Sequence, residues 1–531
     1  MSAAATRAGA PAAASGANPW LIAALVAFAS FMENLDSTIA NVVLPYIAGG
    51  LGVSVDEASW VVTTYLVANA VSLTASSFLA QLLGRRRFFL ICLALFTASS
   101  LLCGYAWNLD ALLLFRLAQG LGGGGMVPLA QSILADSFPP EKRGQGFALF
   151  DVAVVVAPVA GPILGGWLAD NFSWRWCFTI NVPVGVIAFA LIAAVLPAPK
   201  DLADQRKRLR ERSGFDLLGF VMVATFLGAL EVMLDRGLED DWFASAFIVD
   251  VAAVCALAFV LMISWEASRR NPMINLRMVA TRQSGTCFVV MLASGAILLA
   301  TTQFLPNLVQ ADFGYSATWV GLVLSPGVVT MVMMFVVGPL LAKVQPKYLL
   351  VVGAMITALS MYDLTNLYGD VGFWFFARSR MLLGLGLPLL FLPIITASYE
   401  GIPSSKTDQA SALLNAARNT GGSIGISLAN NVLWDRAQFH QSRLVDQAIP
   451  SSVQYQDTLH QMTNYFVAQG SSLWEAKHQA IQWIGQQLQA QASYLGYMDV
   501  FWLLMLISLL AVPLALTLRK SKLGGAVPTG H

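Results

Sequence analysis

Two carboxylates lie inside an apolar run that begins near Trp20. In the stretch FMENLDSTIANVVLP, Glu33, Asp36, Ser37 and Ala40 follow the spacing i, i+3, i+4 and i+7, so a helix places them on one face. An ionisable group at membrane depth costs about 2.5–3.5 kcal/mol, and such groups mark functional sites by default. We expect this polar face to line a central cavity rather than to meet lipid.

Asp36 is the first candidate for a group that binds and releases a proton, because burial and a nearby cation act oppositely on a carboxylate. The alternative is that Asp36 only hydrogen-bonds its neighbours and fixes helix packing. Glu33 either shares the titration or tunes the proton affinity of Asp36. Arg116, in the stretch RLAQGLG, remains charged when buried and needs an acceptor. We expect Arg116 to support proton coupling electrostatically, with water as the candidate bridge to Asp36, and a structural ion pair is the alternative.

A proline- and glycine-rich stretch, APVAGPILGGWLAD, could form a hinge and a tight seal. Proline removes a backbone donor and bends a helix, whereas glycine permits close helix crossing. The candidate hinge residues are Pro158, Gly161, Pro162, Gly165 and Gly166.

Four further charges are candidates for a cavity lining: Arg380, Arg418, Glu231 and Asp151. Arg380 repeats the position of Arg116 in a second motif. For Asp151, a solvated acid at a helix end is the alternative. For Glu231, the alternative is a local ion pair at the outer face, formed with Asp235 and Arg236.

Several site classes are disfavoured. The glycines at Gly122–Gly125 lack a following Lys-Ser/Thr, so ATP is not the expected driver. The four histidines lie outside the apolar runs without metal-ligand spacing, and no metal or cofactor is expected. A net charge of +1 argues against nucleic acid as a partner.

The elements that must position these residues are membrane helices. The chain has 531 residues, 57% hydrophobic and 11% charged, with a mean hydropathy of +0.66, whereas soluble domains carry about 25% charged residues. A spanning helix needs roughly 20 apolar residues. About fourteen such runs fall near residues 20–45, 58–80, 88–107, 110–135, 146–169, 177–197, 215–234, 244–265, 284–306, 318–342, 347–367, 373–398, 410–434 and 498–518. The sequence therefore predicts an all-α polytopic membrane protein.

Basic residues recur in every second connection, as in Gly84–Arg87, Glu141–Gly144, Lys200–Gly214 and Ser268–Arg282. Cytoplasmic loops retain Lys and Arg, so both termini are predicted to be cytoplasmic. The five cysteines all lie in or beside apolar runs and suggest no disulfide framework.

An internal repeat divides the predicted spans into two halves. RLAQGLG at Arg116–Gly122 matches RMLLGLG at Arg380–Gly386, and GPILG at Gly161–Gly165 matches GGSIG at Gly421–Gly425. We therefore predict a flexible cytoplasmic tail (1–19), a six-helix bundle (20–197), basic loops with two extra helices (198–283), a second six-helix bundle (284–518) and a cytoplasmic tail (519–531). Parallel repeats of this kind place a substrate site near the bilayer midplane.

A periplasmic loop is predicted at 435–496, before the last span. Ile481, Ile484, Leu488 and Leu495 recur there at helical spacing, which predicts an amphipathic helix. The loop is either a solvated cap or a docking surface for a periplasmic partner.

The motifs together resemble the major facilitator superfamily, and more closely its fourteen-helix drug:proton antiporters of the EmrB and QacA kind, EmrB above all. The resemblance covers nearly the whole chain after the first twenty residues. It rests on LDSTIANVVLP, RLAQGLGGG, APVAGPILGGWLAD, LDRGLEDDWF and SATWVGLVLSP. The loop SFLAQLLGRRR departs from the family pattern, because Gln81 stands where Asp is expected and Ser77 where Gly is expected. This departure puts the family's cytoplasmic latch in doubt.

The resemblance implies export of hydrophobic or amphipathic drugs from a bacterial inner membrane, driven by inward proton flow without another cofactor. It implies a cytoplasmic gate at Gly84, Arg85 and Arg86. A periplasmic adaptor of the EmrA kind and an outer-membrane channel of the TolC kind would complete the assembly. A proton-coupled importer or exporter of a specific nutrient or siderophore is the alternative. A membrane-embedded enzyme is a third hypothesis, disfavoured because no membrane-buried His, Cys or metal cluster is evident.

Overall fold

The computed structural model describes residues 18–138, 143–196, 216–269, 276–315, 317–341, 343–398 and 407–519. All regular secondary structure in these ranges is helical. Residues 1–17 of the predicted tail 1–19, residues 520–531 of the predicted tail 519–531 and the basic loop at 200–214 lie outside the described ranges. Asn18 and Pro19, the last two residues of the predicted N-terminal tail, instead cap and begin the first helix.

The chain forms two compact units, Met1–Phe220 and Val221–His531. The helices of the first unit are α1 (Pro19–Val42), α2 (Leu44–Leu51), α3 (Val55–Leu83), α4 (Arg85–Gly104), α5 (Leu109–Ser137), α6 (Arg143–Asn171), α7 (Trp176–Thr179) and α8 (Asn181–Val195).

The helix α9 (Leu217–Arg236) crosses the boundary into the second unit. The remaining helices are α10 (Ala246–Ser268), α11 (Leu276–Val279), α12 (Arg282–Ala311), α13 (Ala317–Leu324), α14 (Val329–Leu341), α15 (Pro346–Leu364), α16 (Phe373–Ser398), α17 (Thr407–Gln447), α18 (Val453–Ala468) and α19 (Leu473–Leu516).

Twelve helical segments of the described residues are long and apolar enough to cross a membrane. Two further long helices, α6 with 29 residues and α17 with 41, coincide with the other predicted spans at 146–169 and 410–434. The prediction of an all-α polytopic protein is confirmed.

Two predicted spans are interrupted. Helix α8 restarts at Asn181, two residues before Pro183, which suits a first helical turn because proline lacks the N–H that is unpaired there anyway. A 3₁₀ turn at Ser325–Val328 separates α13 from α14 and contains Pro326. Hydropathy alone does not report such breaks, because the flanking residues are equally apolar.

The ends of the last two long helices differ from the prediction. Helix α17 continues beyond residue 434 to Gln447, and α19 begins at Leu473 instead of 498. A capping box explains the early start: the Ser472 hydroxyl accepts from the Glu475 N–H, and the Glu475 carboxylate accepts from the Ser472 N–H. Most of 435–496 is therefore helical.

The amphipathic helix predicted in this segment is confirmed as the first half of α19. Ile484 and Ala480 are buried against Leu459 of α18, with Leu488 packed beside them. Ile481 points away and is 45% exposed. The segment therefore has a small hydrophobic core of its own.

The first pair of repeated motifs packs identically in the two units. A Cβ on Gly120 would lie 2.5 Å from the Tyr65 carbonyl oxygen of α3, and one on Gly122 would lie 2.7 Å from the backbone of Phe96 on α4. In the second unit, Gly384 faces Thr330 of α14, and Gly386 faces Thr357 of α15. The first glycine of each motif thus admits one neighbouring helix and the second glycine admits another.

The second pair of motifs behaves in the same way. Cβ atoms on Gly161 and Gly165 of α6 would meet Thr38 and Ile39 of α1, and those on Gly421 and Gly425 of α17 would meet residues of α12. Each motif therefore lets its helix approach the first long helix of its own half.

Candidate functional site

The buried charges of the first unit meet where helices approach unusually closely. Gly120 and Gly124 of α5 face α3, and a Cβ on Gly124 would stand 2.2 Å from the Asn69 carbonyl oxygen. Gly122 and Gly125 face α4. Because glycine alone permits these approaches, α5 lies deep in the unit and carries Arg116 with it.

Asp36 and Arg116 form a direct ion pair. The distance from Arg116 Nη1 to Asp36 Oδ2 is 2.7 Å, and both side chains are fully buried. Arg116 Nε also donates to the Val61 carbonyl oxygen at 3.1 Å. The expectation of contact through water was therefore wrong, because α5 comes close enough for the side chains to touch.

The remaining oxygen of Asp36 is held by two amides. Gln119 Nε2 and Asn181 Nδ2 donate to Asp36 Oδ1 at 3.0 and 2.6 Å. Both amides also donate to the Ser100 hydroxyl at 3.2 Å, which in turn donates to the Phe178 carbonyl oxygen. The carboxylate thus ties α1 to α5 and α8 directly, and the two amides extend the network to Ser100 on α4.

The guanidinium of Arg116 has further neighbours. Nη1 donates to Gln119 Oε1 at 2.9 Å, and the ring centroid of Tyr65 lies 4.3 Å from the guanidinium carbon. Nη2 is buried and has no hydrogen-bond partner among the described residues. A spare donor at this depth means that the guanidinium can donate to another oxygen without breaking its contact to Asp36.

Glu33 belongs to the same network but has different partners. Its Oε1 accepts from the Tyr65 hydroxyl at 2.9 Å and from Asn69 Nδ2 at 3.0 Å. Tyr65 therefore touches Glu33 with its hydroxyl and Arg116 with its ring. The two acids on α1 are linked through one tyrosine and one arginine.

The predicted polar face of α1 is less open than expected. Asp36 is 1% exposed, and Glu33 is 7% exposed. Asp36 is enclosed by helices of its own unit, so in this structure its carboxylate does not line an open cavity. The i, i+3 spacing correctly placed both acids on one face, but the close approach of α5 covers that face.

The glycines of α6 divide into two groups. Gly161 and Gly165 face α1, whereas nothing lies within 4 Å of a Cβ on Gly166. Helix α6 runs unbroken through Pro158 and Pro162, whose side chains lie outside the described part of the chain. Two of the three glycines therefore pack closely against α1, and the roles of seal and hinge stay predictions.

Of the four candidate cavity charges, Glu231 and Arg380 have well-defined surroundings. Glu231 Oε1 accepts from the Ser423 hydroxyl of α17 at 3.0 Å. Arg380 is 7% exposed on α16. Arg418 lies on α17, where Gly295 of α12 crosses its backbone, and the Asp151 side chain lies outside the described residues.

Arg236, the basic residue expected to form an ion pair at the end of α9, has two acid partners that follow the helix. Arg236 pairs with Glu239 at 2.5 Å and with Asp240 at 3.3 Å. These acids follow Arg236 by three and four residues in the turns beyond α9, which places them within its reach.

The predicted gate residues join α3 to α4. Gly84 has a φ of 85°, a conformation that favours glycine, and it both ends α3 and precedes α4. Arg86 Nη2 donates to the Ala193 carbonyl oxygen near the end of α8 at 2.6 Å, which satisfies a terminal carbonyl with a cation. Arg85 follows Gly84 in the first turn of α4. The side chains of Gln81 and Ser77 lie outside the described residues.

Sequence reasoning missed Asn181, Ser100 and Tyr65. Asn181 and Ser100 are polar residues in apolar spans, and the criterion that selected Asp36 could have selected them too. Tyr65 carried no signal, because a tyrosine in a membrane helix is common. Among the described residues no group of His, Cys, Asp and Glu is arranged to hold a metal ion.

Comparison with known proteins agrees with this architecture. Residues 26–426 match the family model of the Major Facilitator Superfamily. Multidrug export protein EmrB of Haemophilus influenzae is 35% identical over 486 residues, covering 91% of this chain and 92% of that protein. Fatty acid resistance protein FarB of Neisseria gonorrhoeae is 33% identical over 475 residues, covering 89% and 90%.

A solved structure shares the fold. The crystal structure of the peptide transporter POT in complex with sulfate has a TM-score of 0.54 at 15% identity, covering 94% of this chain and 96% of that chain. The membrane-spanning helices, the family match and the EmrB relative define a multi-pass membrane transporter rather than an enzyme. The chain belongs to the major facilitator superfamily, and within it the chain is similar to EmrB, which confirms the resemblance seen in the motifs.

Proposed function

We propose that this chain exports hydrophobic and amphipathic compounds of varied structure across a bacterial inner membrane in exchange for protons. Efflux is supported by the relatives named for multidrug export and fatty acid resistance. The observation that carries proton coupling is the buried pair of Asp36 and Arg116, joined at 2.7 Å.

The pair has two chemically distinct forms. With Asp36 ionised, its charge neutralises Arg116, and its oxygens accept from Arg116, Gln119 and Asn181. A proton on Asp36 removes the attraction and leaves a buried cation that needs another acceptor. Because this carboxylate joins α1 to α5 and α8, and through the amides and Ser100 to α4, protonation loosens the contacts between these four helices.

Glu33 gives the proton a second position. It lies one helical turn before Asp36 and is connected to it through Tyr65 and Arg116. We propose that Asp36 carries the proton and that Glu33 shares the titration as part of one coupled group.

The seal between α1 and α6 completes the proposed cycle. Gly161 and Gly165 allow the helix backbones to touch at the level of Thr38 and Ile39, just beyond Asp36 on α1. A change in the packing of α1 therefore reaches α6 directly. We assign the stretch from Pro158 to Gly166 the role of a hinge and seal between transport states.

Segment 435–496 is the proposed contact for a periplasmic adaptor of the EmrA kind, with a channel of the TolC kind beyond it. It folds around its own core, yet Val453 and Trp474 are 75% and 72% exposed. Exposed large apolar residues beside a folded core suit a partner surface. If segment 435–496 is periplasmic, the thirteen predicted spans before it and the one after it place both termini in the cytoplasm.

Purified protein in liposomes tests the function directly. A pH gradient that is acidic inside should drive an amphipathic dye such as ethidium into liposomes through protein molecules whose cytoplasmic side faces out. Entry of the dye should be accompanied by exit of protons from the liposome. Arg378→Met removes a largely exposed charge on α16 and serves as the control variant, so it should transport the dye as the parent does. Uptake into intact cells together with protons would overturn export and favour the importer.

A further inference from the structure

Arg380 is a buried cation for which the described residues provide no acceptor. It is 7% exposed, and its Nε and Nη1 atoms are buried without a hydrogen-bond partner in the described ranges. Charged residues within membrane helices almost always pair with another residue or a backbone carbonyl. An unpaired guanidinium at this position therefore calls for an acceptor.

The internal repeat shows what is missing. The stretch LDST at residues 35–38 aligns with LATT at 299–302 at the same offset of 264 residues that relates Arg116 to Arg380. At that offset Asp36 corresponds to Ala300, and Gln119 corresponds to Leu383. Ala300 and Leu383 are buried apolar residues. The second half therefore keeps the arginine. Apolar residues occupy the two positions whose side chains accept hydrogen bonds from the arginine in the first half.

The local packing leaves Arg380 beside an irregular turn. A Cβ on Gly327 would lie 3.0 Å from Arg380 Nε, and Gly327 belongs to the 3₁₀ turn between α13 and α14. The nearby cation Arg378 differs from Arg380, because Arg378 pairs with Asp363 and is largely exposed. Glycine at 327 keeps the space next to the guanidinium free of a side chain.

We propose that Arg380 binds the anionic group of an exported amphiphile, such as a carboxylate. The proposal rests on the export function proposed above and names one class of its substrates. A guanidinium binds a carboxylate through two parallel hydrogen bonds, donated either by Nε and Nη2 or by Nη1 and Nη2, and the unpartnered Nε and Nη1 of Arg380 each belong to one of these two edges. An inorganic anion such as chloride offers the same charge, so the experiment separates the two.

The test compares two probes that share a twelve-carbon chain. Dodecanoate and dodecyltrimethylammonium are titrated onto the full-length protein in zwitterionic nanodiscs, in chloride-free buffer. Arg380→Met should weaken dodecanoate binding by about tenfold or more, since a charge-assisted pair is lost. Binding of dodecyltrimethylammonium should change less than about twofold. Arg380→Lys keeps the charge without the planar fork and should give an intermediate affinity.

Two controls keep the result interpretable. Arg378→Met removes a neighbouring exposed cation and should leave dodecanoate affinity unchanged. Arg380→Met removes a buried unpaired charge, so its Tm should equal or exceed that of the parent.

Equal dodecanoate affinity in the parent and Arg380→Met would overturn the proposal, as would the absence of dodecanoate binding to the parent. A chloride-dependent rise in Tm that vanishes in Arg380→Met, without a change in dodecanoate affinity, would assign the site to chloride and also overturn it. Failure of proton-driven dye transport by the parent would instead refute the export function, because binding is measured without a gradient.

Discussion

Replacement of Asp36 by Asn tests the central ion pair. The change keeps the size of the side chain but removes the only charge that faces Arg116 at 2.7 Å. It also places an NH₂ group where the carboxylate accepts from both Arg116 and the amides of Gln119 and Asn181. At least one of these donors must lose its acceptor.

The expected cost follows from burial. Neither side chain of the pair is exposed to solvent, so water cannot replace the lost carboxylate as a partner of Arg116. Removing one partner of a buried pair destabilises by about 3–5 kcal/mol, because an uncompensated charge remains. We expect a clear fall in Tm in detergent and loss of substrate-driven proton release in liposomes.

The double variant Asp36→Asn with Arg116→Met separates stability from coupling. Removing both charges should restore most of the Tm, since the orphaned cation has gone. Proton release should remain absent, because Glu33 stays titratable but loses its connection through Arg116 to a carboxylate at position 36. Proton release at the parent rate in Asp36→Asn would refute the role of Asp36. If Asp36→Asn had the same Tm as the parent, the expected cost of leaving Arg116 as an uncompensated buried charge would be refuted.

Three further predictions address the surrounding structure. Gly161→Ala should lower both Tm and transport, because its Cβ would stand 2.2 Å from Thr38 Oγ1. Gly166→Ala is the control, since its Cβ would meet open space and should change neither quantity. Equal effects of the two variants would refute the proposed seal. Tyr65→Phe should cost about 1 kcal/mol of unfolding free energy and shift the pH profile of transport, since Glu33 loses a donor; an unchanged profile would exclude Glu33 from the titration. Deleting 451–491 should impair resistance in cells but spare transport by purified protein; loss of both would indicate a structural cap.

Periodicity and hydropathy predicted the helices and one side of the site. Apart from the end of α17 and the start of α19, they located the long helices to within a few residues, because a spanning helix needs an apolar run of fixed length. They also placed Glu33 and Asp36 together, since both lie on one helix face. They did not predict the length of α19, where the capping box at Ser472 extends a membrane helix into a polar segment.

Contacts between distant helices could not be derived in the same way. Asn181 lies 145 residues from Asp36, and its role depends on where α8 restarts. The direct contact of Asp36 with Arg116 depends on how closely α5 approaches its neighbours. That approach is set by glycines whose partners on α3 and α4 are visible only after folding.

The two motifs that begin with arginine separate packing from chemistry. Gly120 and Gly384 open the same kind of helix contact, as do Gly122 and Gly386. Backbone approach tolerates no Cβ, so the glycines are fixed by geometry. The charge partners follow a different rule, because an acceptor can come from the chain or from a ligand. Arg116 has its charge partner, Asp36, within its own unit. Arg380 has no such partner among the described residues, and that is where we expect a transported anion to be recognised.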